Sequence, residues 1–206
     1  MAIDVDIAEQ FERHLNSPKQ TWLLGAGVSF PANIPLMYPL TNHVLHTVRN
    51  SVFKDDDEAK HVLTFICEDC GSISHIEHHL THLGDLISIS DRSHTGRANV
   101  GSKSISKEKL LSVHKGLIET IASTVRWGYK TAALDKIGKI IEPAKIGSEG
   151  ESIVSVTGHL TFINAIFGTR RAGLDFIRTP VEFFTTNYDT LARIMHDRPE
   201  VPASAW

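Results

Sequence analysis

Thr21 to Pro35 reads TWLLGAGVSFPANIP. Trp22, Leu23 and Leu24 form a short continuous apolar run stopped by Gly25, which predicts a buried parallel strand. Gly25-Ala26-Gly27 follows as a turn with no bulky side chain between backbone and ligand, and Ser29 adds a hydroxyl. A strand, a glycine turn and backbone N–H groups at its end are the parts of a phosphate site. A lone Gly-x-Gly also ends strands for reasons unrelated to ligands. The second anchor is therefore needed, and it lies at Val181 to Asp189, VEFFTTNYD. Here another apolar run ends in hydroxyls, an amide and a carboxylate. Ligands of open parallel sheets sit at the carboxyl ends of strands, so the two strand ends read as two walls of one dinucleotide site. Asn187 can orient a ribose hydroxyl or a water there. Asp189 either supports it or caps the following helix, because Asn and Asp are common at such junctions.

Composition narrows the classes. The 206 residues fit one domain, or one domain with an elaborated insert, and 41% apolar content suffices for a core. A net charge of −3 exerts no global pull toward nucleic acid or anionic lipid. Two cysteines, Cys67 and Cys70, are too few for a disulfide scaffold. The acidic, polar start MAIDVDIAEQFERHL is unlike a signal peptide, and no apolar stretch reaches membrane-spanning length. These features point to a soluble protein of a reducing compartment, most simply the cytoplasm.

Outward from the two anchors, periodicity predicts helices. Ile7, Phe11 and Leu15 mark one over 4–16. Thr41 is placed to cap a helix carrying Val44, Leu45, Val48 and Val52. The acidic run Asp55 to Glu58 suits the mouth of a helix burying Val62, Phe65 and Ile66. Ser74 and Glu77 fit a capping box opening a helix over 75–88. The polar stretch 91–107 reads as a mobile loop, either a lid or an insertion. Leu110, Leu117, Ile121 and Val125 mark a long helix. Leu134, Ile137 and Ile141 mark another, stopped by Pro143. Gly147 to Gly150 is a turn, and Leu160, Ile163 and Phe167 mark a helix ended near Gly168. Helical spacing resumes from Asp189 to Met195. The result is an α/β chain with a mostly helical insert, 55–145, between its first strand and the later ones.

The two anchors together resemble the sirtuin superfamily, which carries Gly-Ala-Gly-x-Ser, then Gly-Ile-Pro, then a strand ending in Thr-Gln-Asn-x-Asp. This chain has Gly25-Ala26-Gly27-Val28-Ser29, Asn33-Ile34-Pro35 and Thr185-Thr186-Asn187-Tyr188-Asp189. Asn33 stands for the glycine, which is tolerable where positive φ is needed. The Thr-Thr-Asn-Tyr-Asp form looks most like the NAD-consuming sirtuin-like domains of bacterial antiphage defence proteins, and His75-Ile76-Glu77 through Leu83 is similar to a helix in them. The resemblance implies a Rossmann-like parallel sheet flanked by helices, and an NAD+ hydrolase that cleaves the nicotinamide–ribose bond. It assigns Gly25, Ala26, Gly27, Ser29, Ile34, Pro35 and Thr186 to the coenzyme, and Asn187 and Asp189 to catalysis, with no metal. It further implies homo-oligomerisation and a partner such as a ring ATPase of the translocase type or a prokaryotic Argonaute.

Departures from the family have consequences. Deacylases of the family use a four-cysteine zinc ribbon, and Leu36-Met37-Tyr38 replaces their Asp-Phe-Arg, so protein deacylation is disfavoured. The family's catalytic histidine lies in a His-Gly motif after the Asn-containing segment. His196 lacks that context and is not assigned the role. Residues 1–206 are thus expected to be the N-terminal part of a longer protein. The alternative is a catalytically silent nucleotide-sensing or oligomer-assembly module.

Two further clusters stand out. His75, His79 and His82 share one helix face downstream of Cys67 and Cys70. Their spacing matches no strong zinc template, so a solvated or interface face, conceivably pH-sensitive, is favoured over a metal site. Arg92, Arg97, Lys103, Lys107 and Lys109 make the 91–107 region basic. A solvated loop explains them, and direct nucleic-acid contact is not expected.

Overall fold

A computed structural model describes residues 5–15, 20–168, 181–185 and 187. In chain order the elements are α1 (Val5–Leu15), β1 (Gln20–Leu24), short helical turns at Ala26–Val28 and Phe30–Ala32, α2 (Met37–Thr47), a widened helical turn at Val48–Val52 and α3 (Asp57–Cys70). There follow α4 (Ile76–Arg92), β2 (Arg97–Val100), β3 (Lys103–Ser106), α5 (Lys107–Trp127), β4 (Tyr129–Lys130), β5 (Ala133–Leu134), β6 (Ile140–Glu142), β7 (Lys145–Ile146), α6 (Thr157–Gly168) and β8 (Val181–Thr185). The chain is mixed α/β, and its contacts divide it into two compact units, Met1–Ala32 with Ser155–Trp206, and Asn33–Val154. The insert expected over 55–145 lies within the second unit. Among the described residues, no helix is long and apolar enough to cross a membrane.

The first unit is built on a parallel pair. β1 lies beside β8, with Gln20 opposite Val181 and Leu24 opposite Thr185. Parallel neighbours need a long crossover, and here residues 25–180 supply it. Trp22 meets Phe162 of α6 and His14 of α1 edge to face, at 5.4 and 5.1 Å between ring centroids. The expectation of a fully buried strand is corrected: Leu24 is buried but Leu23 is 75% exposed. A continuous apolar run does not reveal how many faces are covered.

The second unit carries the contiguous core. Val44 and Val48, Val62 and Ile66, Leu83 and Leu86, and Leu110, Val113 and Leu117 bring α2 to α5 together. Burying each such side chain is worth about 1.5–3 kcal/mol. Gly116 of α5 has a packing reason, since a Cβ there would meet the Phe53 ring at 2.9 Å. α3 begins as its acidic mouth predicts, with Asp56 accepting from Ala59 N at 3.0 Å. Burial does not oppose this enough: the bonds from Lys109 and Ala59 N hold the Asp56 carboxyl below its ordinary range.

Several expectations change at this level. Thr41 is not an N-cap but sits inside α2, which starts at Met37. Its hydroxyl donates to Met37 O at 2.8 Å and accepts Ile76 N at 2.9 Å, so it caps α4 from a neighbouring helix. The box at Ser74 and Glu77 moves by one residue: α4 follows His75, whose N–H donates to His78 Nδ1 at 3.3 Å, and continues to Arg92.

The loop expected at 91–107 instead holds the antiparallel hairpin β2–β3, turning at Gly101 with φ +58°. Ala98, Val100 and Ile105 alternate with polar residues and enter the core, which orders the segment. Its basic residues also find partners, Lys107 on Asp91 and Lys109 on Asp56.

The helix expected through Leu134, Ile137 and Ile141 is a second hairpin. β4 pairs with β7, and β5 with β6. Asp135 drives the reversal, its carboxylate accepting Ile137 N and Lys139 N at 2.9 and 2.8 Å, with Gly138 at φ +82°. Asp and Gly at those positions form a local turn that overrides helical spacing.

Candidate functional site

β1 and β8 end side by side, so the residues that follow them must meet. Gly25 leaves β1 at φ −95°, ψ 180° and opens the Ala26–Val28 turn. Val28 N donates to Gly25 O at 3.0 Å, Ser29 N to Ala26 O at 3.1 Å and Ala32 N to Ser29 O at 3.0 Å. The loop is therefore a wound pair of turns rather than an irregular strap. Neither Gly25 nor Gly27 has a left-handed φ, and a Cβ on either would meet nothing within 4 Å among the described residues. Backbone strain and packing among the described residues thus give no reason for glycine at these positions. What glycine leaves is bare, exposed backbone.

The Asn187 side chain closes the loop. Its Nδ2 donates to Gly25 O at 3.1 Å and to Ser29 Oγ at 2.8 Å, across 162 and 158 positions of sequence. A backbone carbonyl only accepts, which fixes the amide orientation. Both amide hydrogens are committed to the loop, and Oδ1 is the atom that can face a ligand. Asn187 N donates in turn to Thr185 Oγ1 at 3.0 Å, so Thr185 sets the angle at which the chain leaves β8. Ser29 is buried. Gly25, Ser29 and Asn187 are thus brought together, with Ala26 and Gly27 on the same loop.

Other expected residues fall elsewhere. Thr186 and Asp189 lie outside the described residues, as do His196 and the helix expected from Asp189. Ile34 and Pro35 belong to the second unit, where Ile34 is buried. Asn33, just before them, has φ +61°, the left-handed backbone anticipated for the residue in the glycine position. Its Nδ2 donates to Ile153 O at 2.7 Å and its carbonyl accepts Tyr129 N at 2.8 Å, so it ties down the base of the β4–β7 hairpin.

Sequence reasoning missed His159. The imidazole, on α6, is only 6% exposed, and among the described residues neither ring nitrogen has a hydrogen-bond partner. Ser155 N, one turn before it, donates to Ala32 O at 3.1 Å, and α6 packs against the Phe30–Ala32 turn. Buried polar atoms are nearly always satisfied, so such a side chain on a helix that packs against the turn after the glycine loop is notable. In sequence it was masked by the apolar spacing of its own helix.

The histidine cluster is partly satisfied: among the described residues His75 Nδ1, His79 Nδ1 and His82 Nε2 are buried without a hydrogen-bond partner, while other contacts are internal. Ser74 Oγ meets His79 Nε2 at 3.1 Å, His82 Nε2 lies 3.1 Å from Asp69 Oδ2, and the rings of His75 and His78 stack at 3.9 Å. Burial, and then His78, His75 and His82, depress the His79 pKa. Among the described residues no three His, Cys, Asp or Glu side chains converge as a metal site. Cys67 and Cys70 are free thiols, both pushed up chiefly by burial.

No protein-family model, curated protein or solved structure matches this chain.

Proposed function

We propose that the β1–β8 strand ends bind NAD+ and that the protein is an NAD+ hydrolase of the sirtuin-like kind, acting in the cytoplasm in antiphage defence. One observation carries this: the Asn187 amide bonded to both Gly25 O and Ser29 Oγ. It supports a single site made from two distant segments. The two strands would then be the middle of a Rossmann-like sheet whose crossover is the 33–154 unit. The exposed backbone at Gly25 to Gly27 would receive the pyrophosphate, whose oxygens need N–H donors at close range. Asn187 Oδ1 would orient the ribose or the attacking water. Thr186 and Asp189 keep the roles that the resemblance implies. His159 would supply a further polar contact, its unpartnered nitrogens satisfied by the ligand.

Cleavage of the nicotinamide–ribose bond develops positive charge on the ribose before water adds. Orientation and oriented dipoles then matter more than a strong base. A ring ATPase or an Argonaute would act as the trigger that restrains or releases turnover.

The test is calorimetric NAD+ binding by the chain, together with release of nicotinamide by the full-length protein that the resemblance implies, each measured with and without Asn187→Ala. Binding and turnover that both fall at least tenfold in the variant are expected. Equal values in the two proteins would exclude the assigned role. A second function rests on the same hydrogen bonds, because tying two strand ends together is also what a purely structural contact does. A nucleotide-sensing or assembly module would bind NAD+ and release no nicotinamide.

A further inference from the structure

Four imidazoles crowd the start of α4. His75 is its N-cap, His78 and His79 complete its first turn, and His82 follows a turn later. The rings of His75 and His78 stack at 3.9 Å. Peptide dipoles put partial positive charge at this end of a helix, and like charges three or four residues apart repel. The position therefore suits neutral rings.

Two of these rings use a nitrogen that must stay unprotonated. His75 N donates to His78 Nδ1 at 3.3 Å, and a proton on Nδ1 abolishes that acceptor. Ser74 has one hydroxyl hydrogen, and it goes to Gly71 O at 2.6 Å because a carbonyl only accepts. Ser74 Oγ therefore accepts from His79 Nε2 at 3.1 Å, which leaves Nδ1 as the bare nitrogen of the ring. His79 is 3% exposed, and among the described residues its Nδ1 has no hydrogen-bond partner. A proton added there would be a buried N–H with no acceptor in hydrogen-bonding geometry.

The surroundings do little to offset this. Asp69 of α3 lies 3.1 Å from His82 Nε2, and Glu77 lies 3.9 Å from His75 Nδ1, so these carboxylates face other rings. The Cys70 thiol of α3 meets His78 O at 3.9 Å. The Ile66 carbonyl of α3 favours a charged His79, but burial opposes it more strongly, and His78, His75 and His82 add to the opposition. α2, α5 and β2 also pack on α4, and no ionisable side chain of theirs is among the groups acting on His79. The same turn is joined to α2 by the bond from Ile76 N to Thr41 Oγ1 at 2.9 Å.

We infer that the start of α4 is a proton-operated latch: neutral His78 and His79 close the corner over 71–79, and acidification opens it locally, freeing Ile76 from Thr41. Imidazole ordinarily changes charge between about pH 5 and pH 8, so a modest fall in pH is the signal. The latch lies within the second unit and does not depend on the proposed coenzyme site, and its test needs no NAD+.

The experiment is native-state amide hydrogen exchange by NMR between about pH 7.5 and pH 5.5, corrected for intrinsic exchange, on the chain and on His78→Gln/His79→Gln. Glutamine at 78 can still accept the His75 N–H, and it does so at every pH. The Ile76 amide should be less protected than that of Leu117 in the α5 core at every pH, because it opens without global unfolding. Its protection should fall roughly tenfold or more over this range in the chain and hold level in the variant. Protection of Ile76 that is independent of pH, that equals that of Leu117, or that falls as steeply in the variant would each overturn the inference. If the variant fails to fold, imidazole nitrogen shifts of the unmodified chain decide. A bare Nδ1 on His78 at about pH 7.5 that gains its proton as Ile76 protection falls is expected, and a proton already on that nitrogen would refute the latch.

Discussion

Gly27→Ala separates a ligand-approach role from a structural one. Gly27 lies in the Ala26–Val28 turn with no left-handed φ, and an added Cβ meets nothing within 4 Å among the described residues. Replacing glycine in a compatible conformation reduces the freedom of the unfolded chain and stabilises by about 0.4–1 kcal/mol. The melting temperature of Gly27→Ala should therefore stay level or rise. The coenzyme should respond in the opposite sense. A pyrophosphate oxygen bonds a backbone N–H at about 2.9 Å, and a methyl group at the same place holds it off at van der Waals distance. Losing one charge-assisted bond costs about 1.5–3 kcal/mol. At about 1.4 kcal/mol per tenfold, the affinity for NAD+ should drop roughly 10- to 100-fold. Calorimetric titration and a thermal melt on the same sample read both quantities. Gly84→Ala, on α4 and equally open, is the control that should leave NAD+ affinity untouched. NAD+ affinity unchanged in Gly27→Ala would refute close approach of the coenzyme to this turn. A fall in melting temperature would refute the openness of the loop.

The remaining expectations are more local. Asn33→Ala forces an ordinary residue into left-handed backbone and deletes the bond to Ile153 O, so it should cost about 2 kcal/mol in urea unfolding, and Asn33→Gly less. His79 is held neutral by burial and by His78, His75 and His82, so the folded state takes up fewer protons than the unfolded. Its contribution to stability is present above about pH 6.5 and is lost as pH falls below that value, and His79→Gln should flatten the slope in unfolding midpoints between pH 7 and pH 5. His159→Phe removes two unsatisfied nitrogens, so it should leave the ligand-free protein as stable or more so, yet weaken NAD+ binding. Unchanged titration of that variant would remove His159 from the site.

What local sequence could carry was carried by period and by turn chemistry. The spacing of Leu110, Leu117 and Ile121 determined α5, the acidic run before Ala59 determined where α3 starts, and Asn in the glycine position pointed to the left-handed backbone at residue 33. The motifs at 25–29 and 185–187 marked the strand ends. Partners decided the rest. Polar 91–107 became a hairpin because the core had room for Ala98, Val100 and Ile105. Residues 134–141 became strands because the Asp135 turn set two short segments against each other, whereas their apolar spacing alone suited a helix. The cap of α4 came from Thr41, thirty-five positions upstream. His159 could be noticed only once burial and missing partners were known. Above all, the bonds from Asn187 to Gly25 and Ser29 follow from β8 lying parallel to β1, and no periodicity within either segment encodes which strand is its neighbour.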